Sequence, residues 1–205
     1  MWNKAIESAI KLSETLESLS DPIDLFILFI DLCDSTEIKQ YCFDNEIPDS
    51  IWIMRQKVFL SRTARIIQQY KGNIIKTIGD EIMATFPFET TASDILKCSI
   101  EVFQTFSNLK SYNKGKFKIF SKASIDFGTC FDGQLLEKEI FDPIGYAVDR
   151  CARIGKYISK NEICFSDDFY SIIIEQNYDF KDIELITAEN EMKGLGIVKY
   201  HKFKV

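Results

Sequence analysis

Hydrophobic positions along the chain follow two periods, and the switches between them divide it into elements. Leu25-Phe26-Ile27-Leu28-Phe29-Ile30 is an unbroken apolar run that ends at Asp31, the pattern of a strand buried on both faces. Before it, Ile6, Ile10, Leu12, Leu16 and Leu19 recur at roughly helical spacing over residues 2–19, and Ser20-Asp21-Pro22 closes that segment. After it, Ser35 or Thr36 opens a short helix. Ile47-Pro48-Asp49-Ser50 introduces a long helix over 49–70, with Ile53, Val58, Leu60, Ala64, Ile67 and Tyr70 as its expected inner face, and Lys71-Gly72 ends it. Residues 73–78 and 81–86 read as a hairpin turning at Gly79-Asp80. Pro87-Phe88-Glu89 then leads into a helix over 91–110 that turns Ile95, Cys98, Val102 and Phe106 inward. Alternation from Phe117 through Ile119, Ala123, Ile125 and Phe127 predicts a strand over 117–128. A helix over 146–158, a strand over 162–165, a helix over 167–176 and closing strands complete the chain.

Strand–helix–helix–strand followed by strand–helix–strand is an α/β (α+β) order, the ferredoxin-like plan with extra elements. It implies a central, mainly antiparallel sheet flanked by helices. At 205 residues, 46% hydrophobic and 27% charged, the chain suits one domain better than two. The expected division is an N-terminal helix at 1–20 and a single domain at 21–205. No apolar run approaches the ~18–20 residues of a membrane span, and Met1-Trp2-Asn3-Lys4 does not begin a signal peptide. A cytoplasmic protein without a membrane partner is expected. Six cysteines lie scattered among apolar positions with no Cys-x-x-Cys pair, which predicts buried reduced thiols. The single histidine, His201, sits near the C-terminus, which argues against a histidine-based triad or metal site. A net charge of −6 argues against nucleic acid as a partner, so an anionic substrate would have to be held by metal and a few placed cations.

Two aspartates carry the first chemical signal. Asp31 stands where the apolar strand runs out, before a loop entering a helix, and Asp80 stands in the hairpin turn. Each alone reads as a helix cap or a turn residue. Together they can share hard cations, as carboxylates do in enzymes that act on nucleotides.

Five segments in order then resemble the catalytic domain of class III nucleotidyl cyclases, the adenylate and guanylate cyclase family. They are Phe29 to Thr36, Gly72 to Phe86, Ala123 to Gly128, Asp142 to Arg153 and Met192 to Gly196, and the resemblance spans about residues 24–205. It implies that Asp31 and Asp80, with the carbonyl of Leu32, bind two Mn²⁺ or Mg²⁺ ions. The loop of Cys33, Ser35 and Thr36 would take the β- and γ-phosphates on its backbone N–H groups. Arg153 matches the transition-state arginine, and Lys193 the lysine that holds the terminal phosphates. Lys76 and Asp142 match the pair that reads the base. Asp34 stands where glycine is common, and its carboxylate is expected to point into solvent. Asp149 replaces the asparagine of purine cyclases and is expected to accept from a ribose hydroxyl. The family builds each site from two chains, which implies a homodimer with composite active sites.

With Asp149, the long helix bearing Trp52, Arg55 and Phe59, and little beyond the catalytic domain, the chain looks like the pyrimidine cyclases of bacterial Pycsar antiphage defence. Those make cyclic CMP or cyclic UMP, which a separate effector protein senses. Two alternatives stand beside this reading: an adenylate cyclase making cyclic AMP, and a non-catalytic nucleotide-binding dimerisation module.

Overall fold

The structure, a computed structural model, describes Ile6 and residues 21–109, 115–133 and 141–205. The helix expected over 2–19 lies outside the described residues, Ile6 apart. The elements run β1 (Ile23–Leu32), α1 (Ser35–Asp44), α2 (Ser50–Gln69), β2 (Asn73–Ile78), β3 (Glu81–Pro87), α3 (Ala92–Ser107), β4 (Ser121–Asp132), β5 (Pro143–Ile144), α4 (Tyr146–Ile154), β6 (Glu162–Ser166), α5 (Asp167–Glu175), β7 (Ile186–Met192) and β8 (Gly196–Lys204). The sheet order is β2-β3-β1-β4-β6-β8-β7, with β5 paired to β4. Its pairings are antiparallel except β4 with β6.

β1 lies inside the sheet, between β3 and β4, because both of its faces are apolar. Phe26, Leu28 and Ile30 pack on one side with Phe59 of α2, Phe106 of α3 and Phe169 of α5. Leu25, Ile27 and Phe29 pack on the other with Ala147 and Cys151 of α4. Fully burying each such side chain stabilises the fold by about 1.5–3 kcal/mol, so this strand anchors both layers. All six cysteines are buried and free.

Three local expectations change. The buried face of α2 is Arg55, Phe59, Thr63, Ile66 and Ile67, whereas Ile53 is exposed. An arginine sits inside because backbone carbonyls satisfy it, which an apolar periodicity cannot register. The strand expected over 117–128 runs from Ser121 to Asp132, since Gly115–Phe117 forms a 3₁₀ turn. The helix expected over 146–158 stops at Ile154. Gly155 follows it so close to β4 that a Cβ there would lie 2.9 Å from the Ser124 hydroxyl.

Candidate active site

The end of β1 is held from two sides. Cys33 N–H donates to the Phe120 carbonyl at 2.9 Å. Arg55, buried on α2, donates through Nη2 to the carbonyls of Cys33 and Lys118, each at 3.0 Å, and through Nε to that of Phe117 at 3.3 Å. Asp34 then takes a left-handed φ of 64°, and Ser35 opens α1, its Oγ donating to the Leu32 carbonyl at 3.2 Å. The two-residue turn between β2 and β3 brings up Asp80, with Gly79 at φ 67° supplying the positive angle that tight hairpins require.

These pieces line a cavity of about 510 Å³. Asp31, Leu32, Cys33, Ser35, Thr36 and Asp80 all border it. Four carboxylates (Asp31, Asp34, Glu37 and Asp80) stand there against two ammonium groups, Lys122 and Lys160. Burial raises the Asp31 carboxyl above its ordinary value and Asp80 adds to the rise, while Lys122, 3.5 Å from Asp31 Oδ2, opposes it. Glu81, paired with Asp31 across β1 and β3, is pushed up to about 7 by burial and by Asp31 and Asp80. Burial also pushes the Cys33 thiol up to about 12, so it stays protonated and Cys33 can serve through its backbone. Among the described residues no three carboxylate, thiol or imidazole side chains converge to hold a metal by themselves, so a divalent cation here would rest on Asp31 and Asp80 with backbone and substrate oxygens, the all-oxygen surroundings that suit Mg²⁺ or Mn²⁺.

The remaining expected residues lie outside that cavity. Lys76 on β2 donates to both oxygens of Asp142, at 2.7 and 2.9 Å, in a half-exposed pair. Asp149 and Arg153 follow on α4, one turn apart. Asp149 is exposed, and the guanidinium of half-buried Arg153 makes no hydrogen bond or ion pair with a described residue. Lys193 is exposed in the turn from β7 to β8. α4 is fixed by Arg150, whose Nε and Nη2 bond buried Asp126 at 2.8 and 2.7 Å, and by Gly128, where a Cβ would lie 2.8 Å from that of Ala147.

One expectation is corrected. Asp34 does not point into solvent: its Oδ2 is 2.6 Å from Lys160 Nζ, and its side chain is only 21% exposed. Sequence reasoning also passed over Lys122, Lys160 and the carbonyl-binding role of Arg55. The polar alternation Lys122, Ser124, Asp126 was a signal for the first. The pairing of Asp31 with Lys122 across β1 and β4 became visible only with the register.

The fold and this strand-end cavity define a class: proteins of the class III cyclase fold, whose sheet ends in carboxylates beside a loop entering a helix. The model of the adenylate and guanylate cyclase catalytic domain matches residues 20–204, and the chain belongs to that family. Its enzymes are lyases that use divalent metal ions, generally Mg²⁺ or Mn²⁺. Among solved structures, the guanylate cyclase domain of RhGC from Catenaria anguillulae, in complex with GTP, aligns at 14% identity over 91% of this chain and 99% of that one, with a TM-score of 0.72. The guanylyl cyclase Cya2 aligns at 16% identity over 91% and 94%, TM-score 0.74. The adenylyl cyclase CyaB from P. aeruginosa aligns at 18% over 90% and 95%, TM-score 0.71. At these identities the likeness is one of fold. No curated protein matches the chain.

Proposed function

We propose that the chain converts a pyrimidine nucleoside triphosphate, CTP or UTP, to its 3′,5′-cyclic monophosphate and pyrophosphate. It does so as a homodimer with two composite sites. The observation that carries this reading is the division of the site residues. Asp31, Asp80 and loop 33–36 border one cavity, whereas Lys76, Asp142, Asp149, Arg153 and Lys193 lie outside it. Two chains facing each other head to tail join the halves.

In the reaction the ribose 3′-oxygen forms a bond to the α-phosphorus as the bond to pyrophosphate breaks, and the 3′-hydroxyl proton passes to water. Asp31 and Asp80, with the Leu32 carbonyl, would hold two divalent ions, which would supply charge stabilisation to the attacking and leaving oxygens. The N–H groups of loop 33–36 take the β- and γ-phosphates at the positive end of α1. Arg153 of the facing chain, which no described residue of its own chain occupies, offers its guanidinium to the α-phosphoryl oxygens as charge develops. Lys193 holds the terminal phosphates, and Asp149 accepts from a ribose hydroxyl.

Lys76 and Asp142 read the base. An ammonium donor beside a carboxylate acceptor complements N3 and the N4 amino group of cytosine. Adenine presents the same order at N1 and N6, so this pair also favours a second reading, an adenylate cyclase. Asp149 in place of asparagine is the residue that tips the reading towards pyrimidines. By its resemblance to the Pycsar cyclases, the product is a second messenger in antiphage defence for a separate effector, made in the cytoplasm. A non-catalytic module has no use for the proposed metal carboxylates and for an Arg153 guanidinium without a partner among the described residues. The test is incubation of the pure protein with each of the four nucleoside triphosphates and Mn²⁺, with products identified by mass. Cyclic CMP or cyclic UMP supports the reading, cyclic AMP moves the chain to the second, and no cyclic product from any of them overturns both.

A further inference from the structure

We propose that Lys160 is a ligand of the substrate's triphosphate, brought to the cavity by a turn that supplies none of the site residues assigned above. The inference rests on the reading of that cavity as the triphosphate end of the site.

Lys160 borders the cavity beside Ser159, across from loop 33–36. Its Nζ lies 2.6 Å from Asp34 Oδ2 and 5.5 Å from the centre of the Phe120 ring. An ammonium has three N–H donors and Asp34 takes one, which leaves two for phosphate oxygens. The backbone beneath it is fixed. Asn161 N–H donates to the Ser121 carbonyl at 2.7 Å, Val205 N–H donates to the Asn161 carbonyl at 2.9 Å, and Ser159 N–H donates to Glu162 Oε2 at 2.7 Å. Phe120, next to Ser121, also accepts the hydrogen bond from Cys33 N–H at 2.9 Å. One short segment therefore ties down both walls of the cavity, the phosphate-facing loop and the lysine-bearing turn.

Electrostatics calls for a cation here. Asp34 holds a left-handed φ of 64°, a conformation that glycine takes without strain, and its carboxylate stands at the edge of a cavity already rich in carboxylates. A bare Asp34 would repel a triphosphate. Lys160 removes that repulsion and, with Lys122, leaves the cavity with cations on two walls. In the free chain Asp34 keeps Lys160 at the cavity, and a bound triphosphate draws on its remaining donors.

The competing account is that Lys160 only neutralises Asp34. A double-variant cycle separates the two, read as binding of inorganic tripolyphosphate with Mg²⁺ by calorimetry. That probe carries no base and does not turn over, so the result is independent of which nucleotide is cyclised. Lys160→Gln is expected to weaken binding on the order of tenfold, the loss of one charge-assisted contact. It should cost about as much again when introduced into Asp34→Gly. It should also raise KM for the best nucleotide substrate, and thermal melts check that each variant is folded. If Lys160→Gln costs nothing, or costs nothing once Asp34 is glycine, the proposal is overturned. Wild-type protein that binds no tripolyphosphate overturns the cavity assignment and this proposal together. A surprise in base preference alone leaves Lys160 in place.

Discussion

Arg150 of α4 grips Asp126 of β4 through Nε and Nη2, at 2.8 and 2.7 Å, and that carboxylate is fully buried. Asp126 also accepts from the Ser166 hydroxyl at 2.5 Å, so three elements meet at one group. The same short helix carries Asp149 and Arg153, and the grip sets where they stand. Removing one partner of a buried pair leaves the other charged and unpaired. Arg150→Met is therefore expected to destabilise the fold by about 3–5 kcal/mol. Replacing Asp126 with Asn at the same time should cost less than the sum of the two single changes. Denaturant unfolding of the four proteins measures both quantities.

Asp31→Ala and Asp80→Ala each remove a carboxylate that we propose as a ligand of the divalent ions. Cyclisation should fall by at least about three decades, roughly 4 kcal/mol of transition-state stabilisation, with folding retained. Turnover near that of the wild type in either variant contradicts the metal assignment.

Composite sites predict complementation. Asp80→Ala and Arg153→Ala are each expected to be inactive, yet a mixed dimer of the proposed kind places both defects in one site and leaves the other whole. Mixing the two proteins should restore up to about a quarter of wild-type activity, since half the dimers are mixed and each has one intact site of two. No recovery under proven subunit exchange rules out the head-to-tail arrangement.

Glu81 gives metal-free protein a particular pH dependence. Its carboxyl is raised from 4.5 to about 7 in the folded chain, by burial first and then by Asp31 and Asp80. The folded state thus holds this proton more tightly than the unfolded chain does. The contribution is fully present below about 4.5 and is lost as pH rises through about 7, so stability falls across that window. In chelator, Tm should drop by several degrees between pH 5 and pH 8, and Glu81→Gln should flatten the change. An unchanged slope in Glu81→Gln contradicts the assignment of the proton to this group.

The elements were legible where one physical demand dominated. β1 announced itself because a strand between two packed layers has no polar face, and α3 because Ile95, Cys98, Val102 and Phe106 are all buried. On α2, Ile67 is buried and Val58, Leu60, Ala64 and Tyr70 pack against the core as expected, whereas Ile53 is exposed; buried Arg55 was not legible, because carbonyls remote in sequence satisfy it. In the site, the positions of Asp31 and Asp80 were legible from local pattern, one near the end of an apolar strand and the other in a hairpin turn. Lys122 and Lys160 could not, since their place beside Asp31 and Asp34 follows from strand register and from a turn after α4. The meeting of Lys76 with Asp142 came from resemblance, and the structure brings the two together across 66 residues.

Base preference tests the account most directly. Lys76 and Asp142 present a donor and an acceptor that fit the N3 and N4 edge of cytosine, while uracil reverses that edge. A polar site built for one edge rejects the wrong one when the bound base covers its groups and leaves them unpaired. The measurement is kcat/KM for CTP, UTP, ATP and GTP, with Mn²⁺ and with Mg²⁺, in wild type and in Asp142→Asn. The account predicts a pyrimidine triphosphate as the best substrate, CTP ahead of UTP, with the preference collapsing in Asp142→Asn. ATP as the clear best substrate contradicts it.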